Sequence, residues 1–360
     1  MRILHVFRSP VGGLFRHVRD LAQGQSDLGH DIGLFCDSST GGANAERQLA
    51  DCRAFCTAGV ATRAISRLPG PSDVAVMAAV RRHAVAGTFD IIHGHGAKGG
   101  LLARLVGRKL GIPSVYSPHG GSLHYAWRSP AGAIFLGTEK FLARMGSGFV
   151  FVCDYEKQLF AAKVGLAGKP SVVAHNGLWP AEFQAVRPAA HATDLVFVGE
   201  VRHLKGIDML LTAVREIGNI TLTVVGDGPE LENFTALSKS MGLAERVIFA
   251  GRLPIRQALS LGRVMVVPSR NESFPYVVLE TAAAAVPMIA TNVGGIPEVL
   301  PGAMLCEPNA AAIADAIRKV LAIPVLARQK AEDLSQAMHQ HYSVATMAGT
   351  ITNFYGTLGR

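Results

Sequence analysis

Cysteine is sparse in this 360-residue chain, and what there is does not pair. Cys36, Cys52, Cys56, Cys153 and Cys306 are odd in number and contain no C-x-x-C. That argues against a disulfide scaffold or a zinc knuckle and fits a reducing cytosol. Charge is also low, at 17% of residues against 49% hydrophobic. Such a chain is too apolar for disorder and can bury large cores. No apolar run reaches the roughly 18–20 residues of a membrane span. The opening MRILHVF reads as a short strand rather than a signal peptide, because His5 and Arg8 interrupt it. There is no G-K-[ST] and no H-E-x-x-H, which removes the P-loop and the common zinc-protease pattern. At roughly 100–200 residues per domain, the length suggests two domains.

Acidic residues are short in one half only. Residues 1–178 carry 20 Lys/Arg against 11 Asp/Glu, while residues 179–360 carry 15 against 16. The net charge of +8 therefore sits in the first half. A basic domain beside a neutral one suggests an anionic partner, such as a membrane surface, a phosphorylated lipid or a nucleic acid. The bland alternative is a soluble basic surface. Nucleic acid is disfavoured, because the basic residues are dispersed and carry no aromatic interleaving.

What is present is an alternation of short β-branched runs with helical stretches. In the first half, Ile3–Phe7 reads as a strand, followed by a Gly12-Gly13 turn and a helix from about Leu14. Glycines between strand and helix let a backbone approach a ligand, and a helix start favours phosphate. The Gly12-Gly13 turn is not a full G-x-G-x-x-G. Ser38–Asn44 reads as a Gly-rich loop. The strands 90–95 and 112–116 end in histidines: His93, His95, His119 and His124. Hydrogen bonding to sugar or phosphate, structural packing and a metal site are the alternatives; the metal is disfavoured because no carboxylate accompanies them at ligand spacing. Residues 127–144 read as an amphipathic helix, either packed on the core or facing a membrane. Residues 179–193, with Pro180 and Pro188, read as a linker.

The second half repeats the alternation. Two such series imply two parallel-sheet, Rossmann-like domains with right-handed crossovers, facing across a cleft. The expected division is 1–178, a linker 179–193, 194–340, and a C-terminal helix at 341–360 packing back toward the first domain. Neither half is read as carrying a nicotinamide fingerprint, which argues against a dehydrogenase. The most informative stretch is Pro268–Glu280, PSRNESFPYVVLE. It reads as a loop from a buried strand into a helix, with Glu272 at the loop and Glu280 inside the helix. Loops at the carboxyl ends of parallel strands are where open α/β sheets bind ligands. A carboxylate in an apolar helix is costly without a partner, so Glu280 demands a donor or a ligand.

EVRHLKG (200–206), VVGDGP (224–229), PSRNESFPYVVLE (268–280) and TNVGGIPEVL (291–300), in this order, resemble the GT-B glycosyltransferases of family 4. The first half is similar more loosely, through its Gly-Gly loop, D-I-I-H (90–93) and the His-Gly at His119. The resemblance implies a retaining, nucleotide-sugar-dependent enzyme whose first half binds the acceptor. It implies that Glu280 holds the ribose and that Glu272 with Ser273, Phe274 and Pro275 holds the transferred sugar. Lys205 would neutralise the departing diphosphate, with Gly12, Gly13 and Gly226 also in donor contact. His119 would lie against the donor sugar. The family's usual arginine position is Glu200 here, so Arg202 is expected to take its role. With no D-x-D, no metal or other cofactor is expected; Lys205, Arg202 and helix ends stand in for a cation. The expected partners are a nucleotide-sugar donor, a saccharide or lipid-linked acceptor and an anionic membrane surface. The expected location is the cytoplasm, at the inner face of the membrane. A sugar-nucleotide epimerase of the same shape and a non-catalytic nucleotide-sugar binding protein are the alternatives.

Overall fold

The computed structural model describes residues 1–68 and 70–358. The chain divides into two compact units: Met1–Gly177 together with the C-terminal segment from Val344, and Leu178–Ser343. Residues 179–193, expected as a linker, are counted in the second unit, where Val186 N–H donates to Ala284 O and Ala189 N–H to Ser260 O.

Unit 1 is built on a seven-stranded parallel sheet. Its strands are β1 (Arg2–Phe7), β2 (Asp31–Cys36), β3 (Val60–Thr62), β4 (Ile91–His95), β5 (Ser114–Ser117), β6 (Gly148–Phe151) and β7 (Ser171–Val173). Their order is β3-β2-β1-β4-β5-β6-β7. β4 is buried along its whole length, as a central parallel strand covered on both faces should be. One cluster of the core joins Leu4, Val6 and Ile92 to Val76, Val80 and Leu102 of the flanking helices. A helix at Gly42–Cys52 lies partly where a Gly-rich loop is expected; Ala45, Leu49 and Cys52 form its buried face, spaced three to four residues apart. The final helix, Val344–Gly356, packs on the helix Gly12–Asp27, where Gly24 leaves room for Val344 and Ala348.

Contrary to the fingerprint expectation, Gly94-His-Gly96-Ala-Lys-Gly99 does have G-x-G-x-x-G spacing, between β4 and the helix Gly96–Leu110. These glycines serve packing. A Cβ on Gly99 would lie 2.3 Å from Val6 O, and one on Gly94 2.4 Å from Gly99 O.

Unit 2 holds β8 (Thr193–Val198), β9 (Leu222–Val225), β10 (Val247–Gly251), β11 (Gly262–Val267), β12 (Met288–Thr291) and β13 (Leu305–Cys306). These six parallel strands run in the order β10-β9-β8-β11-β12-β13. β13 is two residues long and carries too little pattern to be expected from sequence. The core gathers Leu195, Phe197, Val224 and Val266 from the sheet with Leu210, Val214, Ile313 and Ile317 from helices. In both units the strand order reverses beside the first strand, between β1 and β4 and between β8 and β11. That reversal opens a crevice beyond the strand ends, the usual ligand position in such sheets.

Candidate functional site

In unit 2 the loops after β8 and β11 meet at the reversal point. β8 is followed by Gly199–Arg202 and a short 3-10 turn, His203–Lys205. β11 is followed by Pro268–Pro275 and the helix Tyr276–Ala283. Lys205 Nζ lies 2.6 Å from Glu272 Oε1, and Ser269 Oγ donates to the same oxygen at 2.7 Å. The Glu272 side chain is 10% exposed, so a largely desolvated carboxylate is held by one cation and one hydroxyl. Gly206 lets the two loops approach: its φ is +72° and a Cβ would lie 1.9 Å from Pro268 O. Gly294 does the same from the loop after β12, where a Cβ would lie 1.8 Å from Glu272 O. Gly295 N–H then donates to Ser273 O at 2.8 Å.

A second ion pair braces the same loops. Both Arg270 guanidinium nitrogens meet Asp208, at 2.7 and 2.6 Å, and Nη1 also donates to His203 O. This fork holds the Asp208 carboxyl below its usual range against the opposing effect of burial. Neither residue stands out in sequence, since Asp208 opens an ordinary helix and Arg270 sits in a polar loop. Arg202 pairs with Glu200, its Nε 3.3 Å from Glu200 Oε2 and its side chain 41% exposed. Phe274 is buried and its ring lies 6.2 Å from that of Tyr342, whose hydroxyl donates to Glu298 O. Pro275 occupies the cap position of the helix Tyr276–Ala283, and Glu280 is half-buried within it. Gly226 follows β9, and its N–H is committed to Gly251 O at 2.8 Å.

Unit 1 holds Gly12, Gly13 and His119. Gly12 and Gly13 are exposed at the start of the helix Gly12–Asp27, which no side chain caps. His119 has φ +50°, the left-handed region that costs an L-residue roughly 1–2 kcal/mol. Strain of this kind gathers at functional sites. The following Gly120 N–H is held by Glu156 Oε1 at 2.5 Å, and the buried Glu156 also takes Val152 N–H.

Behind His119 lies a chain of imidazoles. His95 Nδ1 is 3.1 Å from His119 Nε2, His5 Nδ1 is 3.0 Å from His95 Nε2, and His5 Nε2 is 2.8 Å from Gln25 Oε1. His93 bonds Tyr355 OH and Ser117 Oγ, and His17 bonds Asn176 Oδ1. Desolvation pushes His5 and His17 down to about 4 and His93, His95 and His119 well below the ordinary imidazole value. Of the four histidines singled out from sequence, His124 stays outside, exposed, with its ring tilted against that of Tyr125. His5 and His17 join instead. A signal for His5 exists: β1 pairs with β4 so that His5 stands opposite His93.

Residues 127–144 form a helix over Pro130–Ala143, capped by Ser129. Leu136, Leu142 and Ala143 are buried, while Ile134 and Phe141 are exposed, as is the nearby Trp127. Among the described residues no helix is long and apolar enough to cross a membrane.

Two family models match the chain: Glycosyltransferase Family 4 over residues 11–181 and Glycosyl transferases group 1 over residues 192–322. Among curated relatives, the glycogen synthase of Mycobacterium tuberculosis is 25% identical over 381 residues, spanning 96% of this chain and 91% of that protein. The D-inositol 3-phosphate glycosyltransferase of Frankia alni is 28% identical over 276 residues, spanning 66% of this chain and 67% of that protein. Among solved structures, Anabaena HepE in complex with UDP-glucose matches with a TM-score of 0.84 at 19% identity, covering 99% of this chain and 100% of that one.

Proposed function

The chain belongs to the family 4 glycosyltransferases and has their GT-B fold, and from that premise we propose that it moves a hexose from a nucleoside diphosphate sugar to an acceptor hydroxyl with retention of configuration. The observation that carries this is the Lys205–Glu272 pair at the reversal point of unit 2. A diphosphate needs cations and a sugar needs acceptors for its hydroxyls. The loops after β8 and β11 supply both at one place. Anabaena HepE, of the same fold, is solved with UDP-glucose, which supports a nucleotide sugar as donor.

In this reading Lys205 and Arg202 meet the diphosphate, Glu272 with Ser273–Pro275 meets the sugar, and Glu280 accepts from the ribose hydroxyls. His119 and the Gly12-Gly13 helix start are assigned to donor contact on the strength of the family pattern. The acceptor oxygen bonds to the anomeric carbon as the bond to the leaving phosphate breaks, and that phosphate takes the acceptor's proton. The chain's contribution is positioning and stabilisation of the charge that develops on the leaving group. Arg270 and Asp208 position these loops rather than touch the donor.

The acceptor is proposed to be a lipid-linked saccharide handled at an anionic membrane face. The basic first half and the exposed Trp127, Ile134 and Phe141 beside Arg128, Lys140 and Arg144 support this. A thermal-shift screen of UDP-, GDP- and ADP-sugars tests the donor; one nucleotide class should raise the melting temperature, and no shift with any of them would remove the donor reading. For the membrane, flotation with anionic liposomes should weaken in an Ile134→Glu, Phe141→Glu variant. Binding that ignores both lipid charge and this variant would remove the membrane reading.

A further inference from the structure

The imidazole chain of unit 1 leaves one buried nitrogen without a partner among the described residues. His17 is 1% exposed, and its Nε2 has no hydrogen-bond partner among the described residues. Its tautomer follows from its other nitrogen. Asn176 Oδ1 can only accept, so His17 Nδ1 carries the proton and Nε2 presents a lone pair. The same reasoning runs along the chain. Gln25 Oε1 accepts from His5 Nε2, so His5 Nδ1 accepts from His95 Nε2, and His95 Nδ1 is left as a second lone pair. His119 Nε2 stands 3.1 Å from that lone pair. The ring of His119 is 4.6 Å from that of His17. One ligand nitrogen from each of His17, His95 and His119 lies within 4.8 Å of the other two.

We propose that His17, His95 and His119 form a three-imidazole site for a transition-metal dication of the zinc or cobalt(II) type. Imidazole nitrogen suits these ions. Two nitrogens bound tetrahedrally at roughly 2.0–2.1 Å from zinc stand about 3.3 Å apart, close to the observed separation of His95 from His119. Ligating histidines donate their other N–H to a supporting acceptor; His17 does so to Asn176 and His95 to His5. His119 would move its proton from Nε2 to Nδ1, so binding by three neutral rings releases no net proton. Burial keeps the rings neutral at ordinary pH. A second triad, His5, His93 and His95, has comparable spacing but is fully buried. Both nitrogens of its His93 are already engaged, by Tyr355 and Ser117. The first triad reaches partial exposure at His119, which leaves a way in and an open fourth position.

The test is titration of chelator-stripped full-length protein with Co2+, followed by its visible d–d absorption, which does not depend on turnover and so stands apart from the transferase reading. The expected result is one saturable site per chain with tetrahedral-type bands that Zn2+ displaces. Asn176→Ala should weaken binding about 10–100-fold, and His17→Ala by more, while His93→Gln should bind as wild type. Circular dichroism monitors folding, and Asn176→Ala carries the test if His17→Ala fails to fold. No saturable binding, bands that survive loss of His17, an unchanged Co2+ affinity in Asn176→Ala, or bands lost with His93→Gln would each overturn the site.

Discussion

The two units share a strand order around their first strand and differ in what they place at the reversal point. Unit 2 brings charges there: Lys205 against Glu272 and Arg270 against Asp208, all partly accessible. Unit 1 brings neutral rings: His5, His17, His93 and His95 are all buried, with His119 at the edge. The four histidines of unit 2, His191, His203, His339 and His341, are all exposed. One topology thus carries two kinds of polar chemistry. Charge pairs can stay near solvent and meet an anionic ligand. Imidazoles can go inside because each loses its charge there and finds hydrogen-bond partners.

The largest effect expected from breaking this contrast lies in unit 1, at the more deeply buried of its Arg104–Glu139 and Lys98–Asp73 pairs, the first. Arg104 is fully buried, donates to Glu139 and Gly100 O and lies over the Tyr116 ring at 4.0 Å. Glu139→Ala leaves that guanidinium uncompensated and should cost roughly 3–5 kcal/mol, read by urea unfolding. Loss of the exposed Arg187–Glu332 pair of unit 2 should be near-neutral by the same measurement. Next comes Lys205→Ala. It removes both the cation for the diphosphate and the partner of Glu272, and should lower kcat about 10²–10³-fold. Arg202→Ala should fall as far if Arg202 serves the same phosphates; near-normal turnover would leave Lys205 working alone.

A smaller change is expected from Gly206→Ala. The left-handed backbone alone should cost roughly 1–2 kcal/mol, and the clash with Pro268 O would push the two loops of unit 2 apart. Activity should therefore fall further than stability; equal losses would mean that the loop approach is unimportant to the site. The gentlest test is pH. His5 and His17 titrate at about 4 in the folded chain against an ordinary 6.5. Between those values the unfolded chain binds more protons, so this contribution is complete above pH 6.5 and is lost as pH falls toward 4. Trp127 lies in unit 1 and Trp179 in unit 2. In a Trp179→Phe variant, fluorescence should show unit 1 losing stability across this window, and a flat response there would contradict the buried-imidazole account.

The contrast also explains what was legible beforehand. The chemistry of unit 2 is written in short contiguous motifs, so Lys205, Glu272 and Glu280 could be picked out with their spacing. Arg270 and Asp208 could not, because their pairing depends on how two loops cross. In unit 1 the alternation gave the sheet, and H-x-H on a strand puts His93 and His95 on one face. Adding His5 required the register of β1 against β4, and adding His17 required the docking of a helix. Neither is visible from local pattern. Glycine spacing was overlooked: Gly94–Gly99 has the form of a dinucleotide fingerprint, yet its missing side chains are taken up by packing against Val6 and the helix backbone.

The central claim is that the Lys205–Glu272 pair marks the donor site of a transferase. The direct measurement is acceptor-dependent release of nucleoside diphosphate from the donor selected by thermal shift, compared between wild type and Glu272→Gln. The account predicts release that requires acceptor in the wild type and a fall of about 10²-fold or more in the variant, with the urea midpoint little changed. Release without acceptor, or a variant that turns over like the wild type, would contradict it.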